Sequence, residues 1–443
     1  MGERARRPSA HKIARQRVLP YVVIKPFAWA VMSVEARLWP LRRIVGRLLR
    51  KVGLLPPLQK TPAAPVTVPP SQPPTAAAAA VLRAGGPVIA LFSGTVEAAR
   101  RYRRDHCAAE LRMAGFDARI HECDTAGLRA ASEQASLVIL HRVPWSAEVE
   151  RLCEAVRQRG GKCVYDTDDL IFQPDHVRWL HFSGQDAKRH ADDHRALTTR
   201  YFATLDHCDA VFTTTQPLAG EIAAATGKAV YVIPNALSDE MVRLSNEAIQ
   251  CWPAVDDGAV LIGYLSGTPT HDRDLAEAIP ALVRLLQTNR QVILALVGFA
   301  NDLLFPRRVR GRILNLHFQD WRKLPALTRR LDLVIAPLEA GSLFTACKSE
   351  VKYMEAGIVG VPAVATATAA FQTAITDGHN GWLVQPSDRD GWFEKLAIAC
   401  DSRELRLAAG DAARQDCLKR YTAEARSVQI AEIVNRLLQA GDG

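Results

Sequence analysis

A chain of 443 residues with 48% hydrophobic and 23% charged side chains is long enough for two domains with separate cores plus appendages. Its formal charge of +9 is local: residues 1–60 carry 14 Lys and Arg against only Glu3 and Glu35, while residues 61–443 hold 42 basic and 45 acidic side chains. The body is therefore slightly acidic and has no basic face interleaved with aromatics, which excludes nucleic acid as a partner. Nine cysteines, odd in number, scattered and without a C-x-x-C pair, fit reduced cytosolic thiols rather than a disulfide framework or a zinc site.

In chain order, residues 1–58 form a basic amphipathic segment. "PLRRIVGRLLRKVGLL" (40–55) puts Leu41, Ile44, Val45, Leu48, Leu49, Val52 and Leu55 on one face, with Arg42, Arg43, Arg47, Arg50 and Lys51 around the rest and Pro40 at the first helical position. This pattern predicts a helix in a membrane interface, where each basic residue contributes about 1 kcal/mol against anionic lipid. A helix docked on the protein's own body gives the same pattern. The upstream "VLPYVVIKPFAWAVMSV" is apolar but interrupted by Pro20, Lys25 and Pro26, too broken for a membrane span. A signal peptide is the alternative reading there, opposed by Lys25 and by the thiols. Residues 59–86, Pro/Ala-rich, read as a linker.

From Pro87 onward short apolar runs alternate with helical patterns, as in a doubly wound parallel sheet. Strands are expected at 88–92, 118–122, 136–140, 162–166, 210–214 and 229–233, with helices near 96–114 and 146–158. A polar bridge at about 236–257 follows. A second series lies at 260–265, 291–297, 313–318, 332–337, 362–366 and 381–385, and the last helix near 423–439. This divides the body into Rossmann-like domains at 87–245 and 258–415, with C-terminal helices at 416–443. Ligands of such sheets sit beyond the carboxyl ends of the strands. Neither a G-x-G-x-x-G after the first strand nor a Walker A sequence is present, which disfavours dinucleotide oxidoreductases and P-loop enzymes.

The strand ends supply the candidate chemistry. "GYLSGTPTHDRD" (263–274) offers Ser266, Gly267 and Thr268 to a phosphate at a helix N-terminus, with Arg273 adding charge; an ordinary loop capped by Asp272 is the plain alternative. "ACKSEVKYMEAG" (346–357) reads as a helix with Lys348, Lys352 and Glu355 on one stripe. Lysines suit a diphosphate and a carboxylate suits the vicinal diol of a ribose; the plain alternative is a surface ion-pair ladder. "YDTDDLIF" (165–172) ends a strand with Asp166, Asp168 and Asp169, either turn aspartates or a D-x-D metal pair. "ILHRVP" (139–144) leaves His141 and Arg142 at another strand end.

Taken together, "IGYLSGTPTHDRDL", "LDLVIAPLE", "KSEVKYMEAGIVGVPAVAT" and "ITDGHNGWLV", with "YRRDHCAAELRMAGFDARI", "VYDTDDLIF" and "VYVIPNAL" in the first half, resemble the family-4 (group 1) glycosyltransferases of the GT-B fold over residues 86–440. The resemblance implies two Rossmann-like domains facing a cleft, a nucleotide diphosphate sugar donor, retention of configuration and no bound metal or other cofactor. It implies that Glu355, the second glutamate of the family's E-x7-E motif, binds ribose. Eight places earlier stands Cys347, a departure that leaves donor-sugar recognition open and makes Lys348 and Ser349 the nearest polar groups there.

The expectation is a cytoplasmic glycosyltransferase, peripheral on the inner membrane face through residues 1–58, that transfers a sugar to a glycan or lipid-linked acceptor in cell-surface polysaccharide or glycolipid synthesis. Lys348, His141 and Arg273 are its catalytic candidates. Gly267, Thr268, Lys348, Ser349, Lys352 and Glu355 are donor-binding candidates, and Arg142, Asp166, Asp168 and Asp169 are acceptor-side candidates. Rival readings are a non-catalytic membrane-tethered scaffold, a sugar-nucleotide epimerase and a metal-dependent transferase.

Overall fold

The computed structural model describes residues 9–18 and 86–439, apart from 97, 183–185, 269–270 and 301. The helix expected at 40–55, most of the apolar stretch before it and the linker lie outside the described residues.

Among the described residues, twelve parallel strands form two six-stranded sheets. The first contains β1 (Val88–Ser93), β2 (Asp117–Ile120), β3 (Leu137–His141), β4 (Lys162–Thr167), β5 (Ala210–Thr213) and β6 (Ala229–Val232), in the order β2-β1-β3-β4-β5-β6. The second contains β7 (Val260–Ser266), β8 (Val292–Gly298), β9 (Ile313–Leu316), β10 (Leu333–Ala336), β11 (Ala363–Thr366) and β12 (Trp382–Val384), in the order β12-β11-β10-β7-β8-β9. Runs such as "LVIL" and "LVIA" are continuous rather than alternating because helices cover both faces of each sheet. Each sheet accordingly separates two apolar clusters, one containing Phe92 and Tyr165 and the other Leu91 and Phe212 in the first half.

Strand order reverses between β1 and β3 in the first sheet and between β7 and β10 in the second, which opens a crevice at their carboxyl ends. Register puts Ser93 beside His141 and His141 beside Asp166. The candidate residues of the first half thus meet through sheet pairing alone.

Both ends of the chain cross between the halves. The helix Ala423–Gln439 packs Ile430, Val434 and Leu437 against the first half, beside Leu111 and Phe116. The helix Ala10–Arg17, capped by Ser9, buries Ala14 in the second half. Arg17 clamps Asp257 and donates to Asp332 Oδ2 at 2.7 Å, at the amino end of the second sheet. This described part of the 1–58 segment therefore docks on protein, because its terminal guanidinium meets two carboxylates there. The polar bridge also differs from expectation: it contains the helix Asp239–Cys251, capped by Ser238 and buried along Met241, Ser245 and Ala248. Its single narrow apolar face, among charged residues, made it read as a linker.

Candidate active site

The wall contributed by the first half begins at the end of β3. Gly94 N donates to His141 O at 2.9 Å, and a side chain at Gly94 would sit 2.1 Å from Arg142 O, so glycine is required for this approach. His141 is fully buried between Ser93 Oγ (2.9 Å from Nδ1) and Asp168 Oδ1 (3.2 Å from Nε2). Arg142 has a φ of 46°, a strained conformation for a residue with a side chain, and its Nη2 lies 2.6 Å from both Asp168 Oδ1 and Asp169 Oδ2. Burial favours protonated Asp168, but Arg142 and His141 outweigh it and hold the carboxyl well below the usual range.

Asp166 is placed differently from the cleft-facing position expected of it. It is fully buried and pairs with Arg103, whose Nε and Nη2 donate to Oδ1 at 3.1 and 2.9 Å. Burial raises its pKa against the pull of Arg103. Asp166 and Asp168 each face an arginine, so the D-x-D pair does not converge as a chelate. His141, likewise enclosed, orients Asp168; the part of this cluster left partly open to solvent is Asp168 and Asp169.

The opposite wall is built at the carboxyl ends of β7 and β10. Ser266 Oγ donates to Thr268 O at 2.8 Å, and Gly267 faces open space. On the helix Asp272–Thr288, Asp274 organises the site. Its Oδ1 accepts from Glu339 N at 2.9 Å, and its Oδ2 lies 2.8 Å from His271 Nδ1 and 3.5 Å from Lys348 Nζ. The shorter contact assigns the Nδ1 proton of His271 to Asp274; Lys348, 3.2 Å from the same nitrogen, is then held by the carboxylate. Burial opposes ionisation of Asp274, yet His271 and Lys348 pull its pKa down to about 2. Glu339 is flanked by Arg273 Nη1 at 3.2 Å and by His181 Nε2 of the first half at 3.1 Å.

The stretch 346–357 is not one helix. A short turn Leu343–Ala346 ends at Cys347, and the helix proper is Val351–Gly357. Lys348 and Ser349 lie in the connection, so Lys348 leaves the stripe of Lys352 and Glu355 and turns toward Asp274. The physical reason is Cys347, fully buried in the apolar cluster of the first half, with its carbonyl accepting from Thr215 Oγ1 at 2.9 Å. Ser349 Oγ accepts from Asn235 Nδ2 at 3.1 Å. Lys352 Nζ lies 4.5 Å from the Tyr264 ring centroid, and burial lowers its pKa to about 8. Glu355 Oε1 accepts from Tyr102 OH at 2.6 Å and Arg101 Nη2 at 3.2 Å, both from the first half.

Sequence reasoning assigned no role to Ser93, Arg101, Tyr102, Arg103, Asn235, His271, Asp274 or Glu339. "RYRRDH", with four basic side chains in six, carried the one visible signal: so many charges after a first strand need partners elsewhere in the fold.

Residues 260–401 match the sequence family described as Glycosyl transferases group 1. No curated protein matches the chain in sequence. Similar solved structures span both halves. Sucrose-phosphate synthase from Thermosynechococcus elongatus superposes with a TM-score of 0.53 at 15% identity, over 80% of this chain and 100% of that one. Anabaena HepE in complex with UDP-glucose gives 0.51 at 17%, over 79% and 100%. A glycosyltransferase from Rickettsia africae gives 0.56 at 12%, over 80% and 99%. At these identities the likeness establishes the fold, two facing Rossmann-like units of the GT-B type. With the sequence match across the second unit, the protein is a glycosyltransferase of the GT-B fold, and residues 260–401 are the part of it similar to group 1.

Proposed function

We propose that the protein transfers a sugar, with retention, from a nucleotide diphosphate sugar to a glycan or lipid-linked acceptor in cell-surface polysaccharide or glycolipid synthesis, held at the inner face of the membrane by its basic N-terminal segment. The observation that carries the donor reading is the convergence of Lys348, ordered by Asp274, with Lys352 and Glu355 beside the crevice between β7 and β10. Glu355 takes the ribose, and Lys348 and Lys352 take the diphosphate. Arg273 and the turn at Gly267 and Thr268 flank the same edge.

Negative charge on the diphosphate grows as the glycosidic bond breaks, so cations fixed in advance stabilise the transition state more than the ground state. The departing phosphate assists deprotonation of the acceptor hydroxyl on the same face, which accounts for retention. Asp168 and Asp169, with Arg142 between them, face the acceptor; His141 keeps Asp168 oriented. The HepE complex with UDP-glucose supports a nucleotide sugar as the class of donor.

Lys348→Ala tests the reading. Turnover at saturating donor is expected to fall about tenfold or more, a loss of about 1.4 kcal/mol or above, with the far-UV circular dichroism spectrum unchanged. Unchanged turnover would remove Lys348 from the leaving-group role.

A further inference from the structure

The helical segment 98–113 is interrupted. After Ala98–Arg100 the backbone runs as a π-helix over Arg101–His106 before returning to α-helix at Cys107–Met113. Such a widened turn is uncommon and recurs at functional sites. Here it splits consecutive side chains between two tasks. Arg103 goes inward to Asp166 and to Ile233 O at 2.7 Å, and His106 Nδ1 lies 2.8 Å from Ala236 O. Arg101 and Tyr102 go across the cleft to Glu355.

Both cross-cleft donors converge on one oxygen, Oε1, at 3.2 and 2.6 Å. Two bonds to a single oxygen fix the plane of the carboxylate and hence the direction of Oε2. Arg101 is itself held in place: its guanidinium stacks 4.6 Å from the Tyr102 ring centroid and 4.7 Å from that of Trp321. Burial and the neighbouring Glu355 raise the Tyr102 pKa well above its ordinary value, so the hydroxyl stays a donor. Elements of both halves, the π-turn and the helix Val351–Gly357, thus build one carboxylate site.

From this geometry we infer that Arg101 and Tyr102 are positioning residues for ribose recognition, aiming the Glu355 carboxylate at the ribose hydroxyls and tying nucleotide binding to the apposition of the two halves. The inference rests on the assignment of Glu355 to ribose made above. A carboxylate left to rotate meets a diol in many orientations; one clamped from the far wall meets it in one. Discrimination for the hydroxyls is therefore a property of the first half as much as of the second.

Calorimetric titration of the full chain with UDP and GDP, each compared with its 2′,3′-dideoxy counterpart, tests this. Wild type is expected to bind one ribonucleotide about tenfold more tightly than its dideoxy form, and Tyr102→Phe to weaken that ribonucleotide about five- to tenfold while changing the dideoxy form less than about twofold. Arg101→Gln acts in the same direction. Equal losses for both ligands mean a merely structural role, and an unchanged ratio means no role; either overturns the inference and leaves the donor reading standing. Wild type that binds neither nucleotide, or does not distinguish the two forms, overturns the ribose assignment and this inference with it.

Discussion

Lys352 is a donor-side candidate whose charge changes within the accessible pH range. An ordinary lysine stays charged to above pH 10, but burial beside Tyr264 brings this one down to about 8. Below pH 8 the ammonium is present; above it the side chain is neutral until a diphosphate arrives and draws the proton back. Nucleotide diphosphate binding at pH 9 is therefore expected to take up a proton through Lys352, and at pH 6.5 to take up none through it. Calorimetry in buffers of different ionisation enthalpy measures this, and Lys352→Arg, charged throughout, abolishes the uptake. At this scale the sequence singled out donor-side candidates but not what holds them. Lys348, Lys352 and Glu355 were legible because lysines and a glutamate near a strand end are a local pattern. Asp274, Tyr102 and Arg101 were not, because their partners lie 74, 253 and 254 residues away in the chain. Asp166 read as a cleft residue for the same reason: nothing local announces that Arg103 enters the core to meet it.

Among elements, the strands were the most legible and the helix boundaries the least. Continuous apolar runs between polar turns leave little choice for a strand buried on both faces. The stretch 346–357 read as one helix because its composition suits one; it breaks at Lys348 because Cys347 is drawn into the other half. Where β7 and β8 end, the constraint is steric. Gly298 has a φ of +82°, and a side chain there would lie 2.2 Å from Ser266 O. Gly298→Ala is expected to cost more than about 2 kcal/mol by urea unfolding, and to weaken nucleotide binding by moving the Ser266–Thr268 turn. A variant as stable as wild type would show that this approach can relax.

For the molecule as a whole, the two ends of the chain reverse the simple order of domains. The first described helix packs on the second half and the last helix on the first, so each half is completed by sequence from the far terminus. Deleting residues 1–58 is expected to release the protein from anionic vesicles in a sedimentation assay. The same deletion should lower the stability of the second half, since Arg17 leaves Asp332 buried without its partner. A truncated protein that still pellets with vesicles removes the segment from the membrane role. The amino-acid sequence alone determined two parallel sheets and their twelve strands, because hydrophobic periodicity is written in neighbouring residues; the glycosyltransferase expectation came from the resemblance of its motifs to a known family. Only the tertiary structure decided which charges pair, where Cys347 goes and how Glu355 is held. Those outcomes depend on side chains brought together by chain crossings, whose free energy no short stretch of sequence contains.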